Sequence, residues 1–192
     1  SGKTTLLHAL SGITQPDSGT VHFAAAAGIV EIDMLTDAER SRLRREAFGF
    51  VFQQGLLIPE LTALENVAIA LMLNGTSRRD AERAASAWLA ALGLGGLDDR
   101  RIGQLSGGQA QRVAIARAQV TEPSVVFADE PTGALDSHTS AEVIQALLAS
   151  TVGRGRTLVL VTHDEQVASS CSRLIRVLDR TVEEHRRLDA VV

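Results

Sequence analysis

The sequence predicts an α/β fold, in which a mainly parallel β-sheet is flanked by helices and carries an inserted helical subdomain. Short apolar runs alternate with helical segments, which is typical of parallel strands covered on both faces. The insertion is indicated by residues 62–119, whose character is almost uniformly helical. The apolar runs occupy residues 48–52, 125–128, 157–162 and 174–178.

The segments before residue 53 carry local signals for the ends of helices and strands. Thr36 and Glu39 have the spacing of a capping box at the start of a basic helix. Residues 24–28 show no clear period and are assigned to no element. The predicted order is a helix over 4–10, a strand over 20–23, a helix over 36–45 and a strand over 48–52.

Caps and breakers also delimit the elements of the remaining chain. Ser77 is expected to cap a helix that ends at Gly93, and Ser106 precedes a helical run that Pro123 stops. The polar run after Asp179 is interpreted as a solvated tail. The predicted order is helices over 77–92 and 109–119, a strand over 125–128, a helix over 138–150, and strands over 157–162 and 174–178.

Length and composition limit the class of protein. The 192 residues suit a single domain, and the 45% hydrophobic and 22% charged content is ordinary for a folded globular chain. A net charge of −4 gives no reason to expect a nucleic-acid partner. Cys171 has no second cysteine to pair with, so a reducing compartment is expected. The apolar stretches are too short to cross a bilayer, so a membrane function would need spanning helices from another chain.

The first five residues, Ser1, Gly2, Lys3, Thr4 and Thr5, match the end of the phosphate-binding pattern G-x-x-x-x-G-K-[ST]. Backbone N–H groups at such a helix start attract phosphate, Lys3 would contact the β- and γ-phosphates, and the Thr4 hydroxyl would ligate Mg²⁺. The chain is therefore expected to be a fragment that begins inside this loop and lacks the first strand. By themselves, these residues could also be a chance sequence on a surface helix.

Two carboxylates follow the apolar run at 125–128. Asp129 and Glu130 would lie at the carboxyl edge of a parallel sheet, where α/β proteins bind ligands. Asp129 would hold Mg²⁺ through water, and Glu130 would act as the general base that polarises the attacking water. Alone, the pair could equally cap the next helix. Together with Lys3, it predicts a nucleoside-triphosphate hydrolase with a phosphate-binding loop.

A second glycine-containing helix start follows Leu105, with the sequence Ser106, Gly107, Gly108 and Gln109. Such an N-terminus binds anions without a lysine. One chain rarely needs two such sites for one triphosphate, so a head-to-tail dimer is expected. Each chain would present these four residues to the γ-phosphate held by its partner. A simple helix cap is the alternative interpretation of the serine and two glycines.

The sequence QRVAIARA at 111–118 continues this run, and both lie before Asp129. The arrangement resembles the signature motif of ATP-binding cassette (ABC) ATPases, and the resemblance extends over nearly the whole chain. It implies ATP and Mg²⁺ as cofactors. It also implies two partners, a second ATPase subunit and a transmembrane permease subunit, and a cytoplasmic location at the inner face of the cell membrane.

Three further residues take roles from the same resemblance. Gln53 matches the glutamine that touches Mg²⁺ and senses the transmembrane partner. Asp136 matches the D-loop aspartate at the dimer interface, although alone it would be a helix N-cap. His163 matches the switch histidine that contacts the γ-phosphate, although a lone histidine after a strand is usually structural.

Residues 50–67 and the sequence ADEPTGALDS at 128–137 look like the lipoprotein-releasing and macrolide-exporter type of ABC ATPase. That resemblance implies a motor subunit that couples ATP hydrolysis to a separate permease, for export or for extrusion of lipoproteins, peptides or drugs. Gln53 and residues 56–73 would form the docking region. A cell-division-type mechanical role without transport, and an inactive fragment that only binds its partner, are the alternatives.

Overall fold

The computed structural model describes residues 2–178 and 181–187 of the chain. Its regular elements are α-helices, β-strands and short 3₁₀ turns, the last at Ile32–Met34, Ile102–Gln104 and Val152–Arg154. The helices are α1 (Lys3–Leu10), α2 (Asp37–Ala47), α3 (Ala63–Met72), α4 (Arg78–Ala91), α5 (Gly107–Gln119), α6 (Ser137–Thr151) and α7 (Glu165–Ser169). The strands are β1 (His22–Ala25), β2 (Gly28–Glu31), β3 (Phe48–Phe52), β4 (Val125–Asp129), β5 (Thr157–Val161), β6 (Arg173–Leu178) and β7 (Thr181–Arg187).

The central sheet has the strand order β3-β4-β5, and both pairings are parallel. Phe52 lies opposite Asp129, which in turn lies opposite Val161, so the three strands end at the same edge. The predicted α/β class with a parallel sheet is confirmed. Because β-branched and aromatic residues fill these strands, the sequence identified them with boundaries close to the observed ones.

The first hairpin differs from the prediction. The strand expected over 20–23 is β1, His22–Ala25, and it pairs antiparallel with β2. The unassigned residues 24–28 form the end of β1 and the turn into β2, where Gly28 has φ = +132°. Alanine gives no alternation between apolar and polar positions, so only backbone pairing defines this segment.

The C-terminal strands also differ from the prediction. The strand expected over 174–178 is β6, which pairs antiparallel with β7 instead of extending the parallel sheet. The interpretation of the run after Asp179 as a solvated tail is wrong, because Thr181–Arg187 forms β7. Asp179 itself lies outside the described residues. Backbone pairing in a two-stranded ribbon needs no apolar alternation, so polarity alone does not distinguish such a strand from a tail.

Two apolar clusters cover the two faces of the central sheet. One packs the sheet against α3, α4, α5 and α6, and its members include Val51, Val67, Leu89, Ile115, Val126 and Leu147. The other joins the sheet to α1 and the first hairpin, and it consists of Leu7, Phe23, Ile32, Phe48 and Phe127. Successive residues of β4 therefore point into different clusters, as expected for a strand buried on both faces.

The helices α3, α4 and α5 lie within the range 62–119, whose status as a separate helical subdomain stays a prediction. Thr62 opens α3 with a capping box to Glu65, and Ser77 caps α4 through the N–H of Asp80. Across residues 2–178 and 181–187, no helix is long and apolar enough to span a bilayer.

Substitution of Gly49 in β3 tests the close packing between the sheet and α5. A Cβ atom at this position would lie 2.4 Å from the backbone oxygen of Ala118 and 3.1 Å from Pro123 Cγ. Because a backbone atom cannot rotate away, Gly49→Ala should lower the free energy of unfolding by about 1–3 kcal/mol or more. Chemical denaturation of Gly103→Ala is the control, since a Cβ there meets nothing within 4 Å. Equal stability of the two variants would contradict the packing described.

Candidate active site

The first turn of α1 is the candidate phosphate-binding element. Gly2 has φ = +83° and precedes Lys3, the first helical residue. The first bond along the helix runs from the N–H of Leu6 to the Gly2 oxygen, at 3.0 Å. The N–H groups of the first turn therefore have no partner within the helix, and they attract anions. Ser1, also predicted for this site, lies outside the described residues.

Two side chains connect the start of α1 to the carboxyl edge of the central sheet. Lys3 Nζ donates to the backbone oxygen of Thr162, just after β5, at 3.3 Å. The Thr4 hydroxyl donates to Asp129 Oδ1, at the end of β4, over the same distance of 3.3 Å. The structure thus brings together the lysine, hydroxyl and carboxylate that the sequence predicts for one site.

Glu130 and His163 form a close pair beside this group. His163 Nδ1 lies 2.7 Å from Glu130 Oε2. The backbone N–H of Glu130 donates to the Val161 oxygen at 2.9 Å, which continues the pairing of β4 with β5 by one residue. Glu130 has φ = +47°, a left-handed conformation that costs a non-glycine residue about 1–3 kcal/mol. Such strain is typical of functional positions, where the surrounding contacts fix the side chain.

Gln53 follows β3 and reaches the same edge of the sheet. Its side chain lies against Gly133, where a Cβ atom would come within 2.8 Å of Gln53 Nε2. Gly133 belongs to the loop that follows Glu130, and its N–H donates to the Glu130 oxygen at 3.1 Å. The structure thus places Gln53 beside the loop after the predicted general base.

Two side chains of α5 that were not predicted from the sequence hold the loop after Gln53. Arg117 donates to the backbone oxygens of Gly55 and Leu56, at 2.7 and 2.8 Å. Gln111 is buried and donates to the Phe52 oxygen at 3.0 Å. Burial lowers the pKa of Arg117, although its guanidinium remains charged near neutral pH. No local signal identifies these contacts, because the partners are 59 to 62 residues apart in sequence.

A third missed residue, Asn66, holds the next part of this loop. Its side chain is fully buried. Its Oδ1 accepts the N–H of Ile58 at 2.8 Å, and its Nδ2 donates to the oxygens of Ile58 and Thr62 at 3.0 Å each. A buried amide with these partners fixes backbone that lacks regular structure.

The predicted signature residues form the start of α5. The Ser106 hydroxyl accepts the N–H of Gln109 at 3.2 Å, and Gln109 Oε1 accepts the N–H of Ser106 at 2.9 Å. This capping box starts the helix at Gly107, whereas the sequence predicts a helix that begins at Gln109. Within the part of the chain that the structure describes, no hydrogen bond joins these residues to Lys3 or Thr4.

Asp136 caps α6. Its Oδ1 accepts the N–H groups of His138 and Thr139 at 3.1 and 3.0 Å, and its Oδ2 accepts the Thr139 hydroxyl at 2.6 Å. The bond from the Thr139 hydroxyl, followed by that from the Thr139 N–H, lowers the pKa of Asp136. The capping role and the predicted D-loop role can coexist, because the side chain is also exposed.

Residues 1–133 match the model of the ABC transporter family. The chain belongs to this family. It is similar to the lipoprotein-releasing system ATP-binding protein LolD of Geobacter metallireducens, with 45% identity over 95% of the chain and 79% of that protein. It is also similar to the macrolide export ATP-binding/permease protein MacB of Marinobacter nauticus, with 45% identity over 96% of the chain but only 28% of that protein.

A solved ATP-binding cassette has the same fold. The dimeric, post-hydrolysis state of that cassette, bound to ADP and Pi, superposes with a TM-score of 0.86 and 38% identity. The superposition covers 98% of the chain and 82% of the cassette. The resemblance to ABC ATPases inferred from the sequence is thus confirmed, and with it the ATP-binding and ATP-hydrolysing class of the chain. The roles of individual side chains in this ABC ATPase stay predictions.

The Asp136 cap predicts an acid-sensitive contribution to the stability of this ABC ATPase. The pKa of Asp136 is lower in the folded state than in the unfolded state, where it is about 3.9. The charged carboxylate therefore contributes its full stabilisation at pH values above the unfolded pKa. This contribution is lost as the pH falls through the folded pKa. Asp136→Asn keeps a capping oxygen but not the charge. Its Tm should be slightly below that of the unsubstituted protein at pH 7, and the gap should close in acid.

Asp17→Asn is the control for this measurement, because it removes the same charge from an exposed bend. Thermal unfolding followed from pH 7 downward compares the two variants. A gap for Asp136→Asn that stays constant with pH, or that also occurs for Asp17→Asn, would contradict the assigned cause.

Proposed function

We propose that this chain is the ATP-hydrolysing motor subunit of an ABC exporter, and that it drives a separate membrane permease from the cytoplasmic face. The observation that carries the proposal is the group formed by Lys3, Thr4, Asp129, Glu130 and His163 at one edge of the sheet. The similarity to LolD, an ATP-binding protein of a lipoprotein-releasing system, supports the role of motor subunit. The similarity to export proteins favours outward transport.

The phosphate groups of ATP would bind at the start of α1, where Lys3 and the free N–H groups supply positive charge. Thr4 and Asp129 present a hydroxyl and a carboxylate oxygen 3.3 Å apart. Mg²⁺ prefers oxygen ligands and retains several waters, so this donor pair fits Mg²⁺ together with phosphate oxygens. Gln53 is the third proposed ligand, and Gly2 and Thr5 complete the cradle. When bound, Mg²⁺ would neutralise phosphate charge.

Glu130 would orient the attacking water and accept its proton. His163, which lies 2.7 Å from the Glu130 carboxylate, would hold that carboxylate in place and contact the γ-phosphate. Most of the rate enhancement in phosphoryl transfer comes from such positioning and charge neutralisation. The left-handed backbone conformation of Glu130, with φ = +47°, would direct its side chain from the strand end into this site.

The site would be completed by a second ATPase subunit. The start of α5 carries Ser106, Gly107, Gly108 and Gln109 on a part of the chain separate from Lys3 and Thr4. The capping box uses the N–H groups of Ser106 and Gln109, and it leaves those of Gly107 and Gly108 for an anion. In a head-to-tail dimer these groups would reach the γ-phosphate held by the partner, with Asp136 at the interface. The dimeric state of the similar cassette supports this arrangement.

The permease would dock beside Gln53. The segment from Leu56 to Leu73 exposes large apolar side chains, with Leu56 60% and Leu73 64% exposed. Its backbone is nevertheless held firmly by Arg117 and Asn66. An exposed apolar surface on a fixed backbone suits a protein partner, and its position next to Gln53 would connect the partner to the site.

Glu130→Gln tests the proposed general base in the full-length protein. Glutamine keeps the size of the side chain but cannot accept the proton. ATP hydrolysis should fall about 10²–10⁴-fold while ATP binding remains, so the protein should accumulate as an ATP-bound dimer. Glu122→Gln is a matched control, because Glu122 also has a positive φ, of 54°, outside the site. Near-normal turnover by Glu130→Gln would remove Glu130 from this role.

Ser106→Ala tests the action of the signature on the partner's nucleotide. Hydrolysis should fall strongly, while ATP affinity of the monomer, measured at low protein concentration, should be unchanged. Ser77→Ala is the control, because Ser77 caps α4 in the same way and its loss removes a comparable cap, worth about 1 kcal/mol. A collapse of monomer affinity in Ser106→Ala would show that Ser106 binds the nucleotide of its own chain.

A further inference from the structure

Thr139, in the first turn of α6, contacts two predicted motifs of the same chain. Its hydroxyl donates to Asp136 Oδ2 at 2.6 Å. Its methyl carbon, Cγ2, occupies the space beside Gly108, where a Cβ atom would lie only 2.3 Å away. One side chain thus touches both the signature at the start of α5 and the aspartate of the D-loop.

A second contact joins the same two segments. A Cβ atom on Gly107 would lie 3.1 Å from Leu135 Cδ2. Leu135 in turn packs against the apolar cluster beneath α5, which fixes its position. Further along the two helices, Arg112 and Glu142 form an ion pair at 3.7 Å. The start of α5 therefore sits directly on the loop that leads into α6.

We propose that Thr139 is a positioning residue that fixes the start of α5 relative to Asp136, so that both reach the partner subunit as one unit. This inference rests on the proposed function, in which both motifs act across the dimer interface. The contact with Thr139 explains why residue 108 is glycine from packing within one chain. The proposed contact of the partner's phosphate with Gly108 would be a second reason. A side chain at 108 would displace Thr139 and, through its hydroxyl, the Asp136 carboxylate.

The two contacts of Thr139 can be removed separately. Thr139→Ser keeps the hydroxyl and removes the methyl group. The atom of residue 139 nearest to a Cβ at 108 would then be its own Cβ, at 3.8 Å, which is an ordinary van der Waals distance. Thr139→Val keeps the shape and removes the donor to Asp136. Gly108→Ala should therefore be tolerated in the serine background and not in the threonine background.

The test is a double-mutant cycle in the full-length Glu130→Gln protein, with the dissociation constant of the ATP-bound dimer as the readout. Gly108→Ala should weaken the dimer by about tenfold or more, because contacting residues couple strongly. Thr139→Ser should change it by less than about twofold, and adding Thr139→Ser to Gly108→Ala should restore most of the loss. If the double variant dimerises as poorly as Gly108→Ala alone, Gly108 serves only the nucleotide and the proposal is wrong.

The hydroxyl contact has its own test in the protein with Glu130 intact. Thr139→Val should lower kcat several-fold with an unchanged KM for ATP, while Thr139→Ser should keep kcat. An unchanged kcat in Thr139→Val, whatever its Tm, would overturn the positioning of Asp136. Failure of the proposed function would look different, because the unsubstituted protein itself would then show no ATP turnover.

Discussion

Parallel pairing of β3, β4 and β5 is the constraint on which the candidate site depends. The register places Phe52, Asp129 and Val161 side by side, so the residues that follow these strands emerge at one edge. Apolar clusters on both faces hold β4 in the middle, with Val126 and Ala128 fully buried. The site is therefore built from strand ends that cannot slip without moving these side chains to the wrong face. The start of α1 lies at this edge, where Lys3 and Thr4 donate hydrogen bonds to the ends of the strands.

The helix α5 gives the second constraint, because it contacts two distant parts of the proposed machinery. Its first turn carries the signature, and Arg117, near its last turn, holds the backbone after Gln53. Gln111, between them, holds the end of β3. One continuous helix thus contacts both the signature and the loop proposed to face the permease.

Residues whose position is set by local pattern could be placed from the sequence. Asp129 and Glu130 follow an apolar run, and Thr36 and Glu39 have capping-box spacing, so each signal lies within a few positions. Arg117, Asn66 and Thr139 could not be identified, since their partners are fixed only by packing of separate helices. The antiparallel strands β2 and β7 were missed for a related reason, because backbone pairing without apolar alternation leaves no period to detect.

The central claim is that one ATP site is shared by two chains, and a mixing experiment tests it most directly. The full-length Lys3→Ala protein has a damaged phosphate cradle and an intact signature, whereas the Ser106→Ala protein has the reverse. Each alone should hydrolyse ATP poorly. If the signature acts on the partner's nucleotide, a mixed dimer contains one complete site, and ATPase activity should reappear on mixing. Activity that stays at the sum of the separate proteins would contradict a shared site.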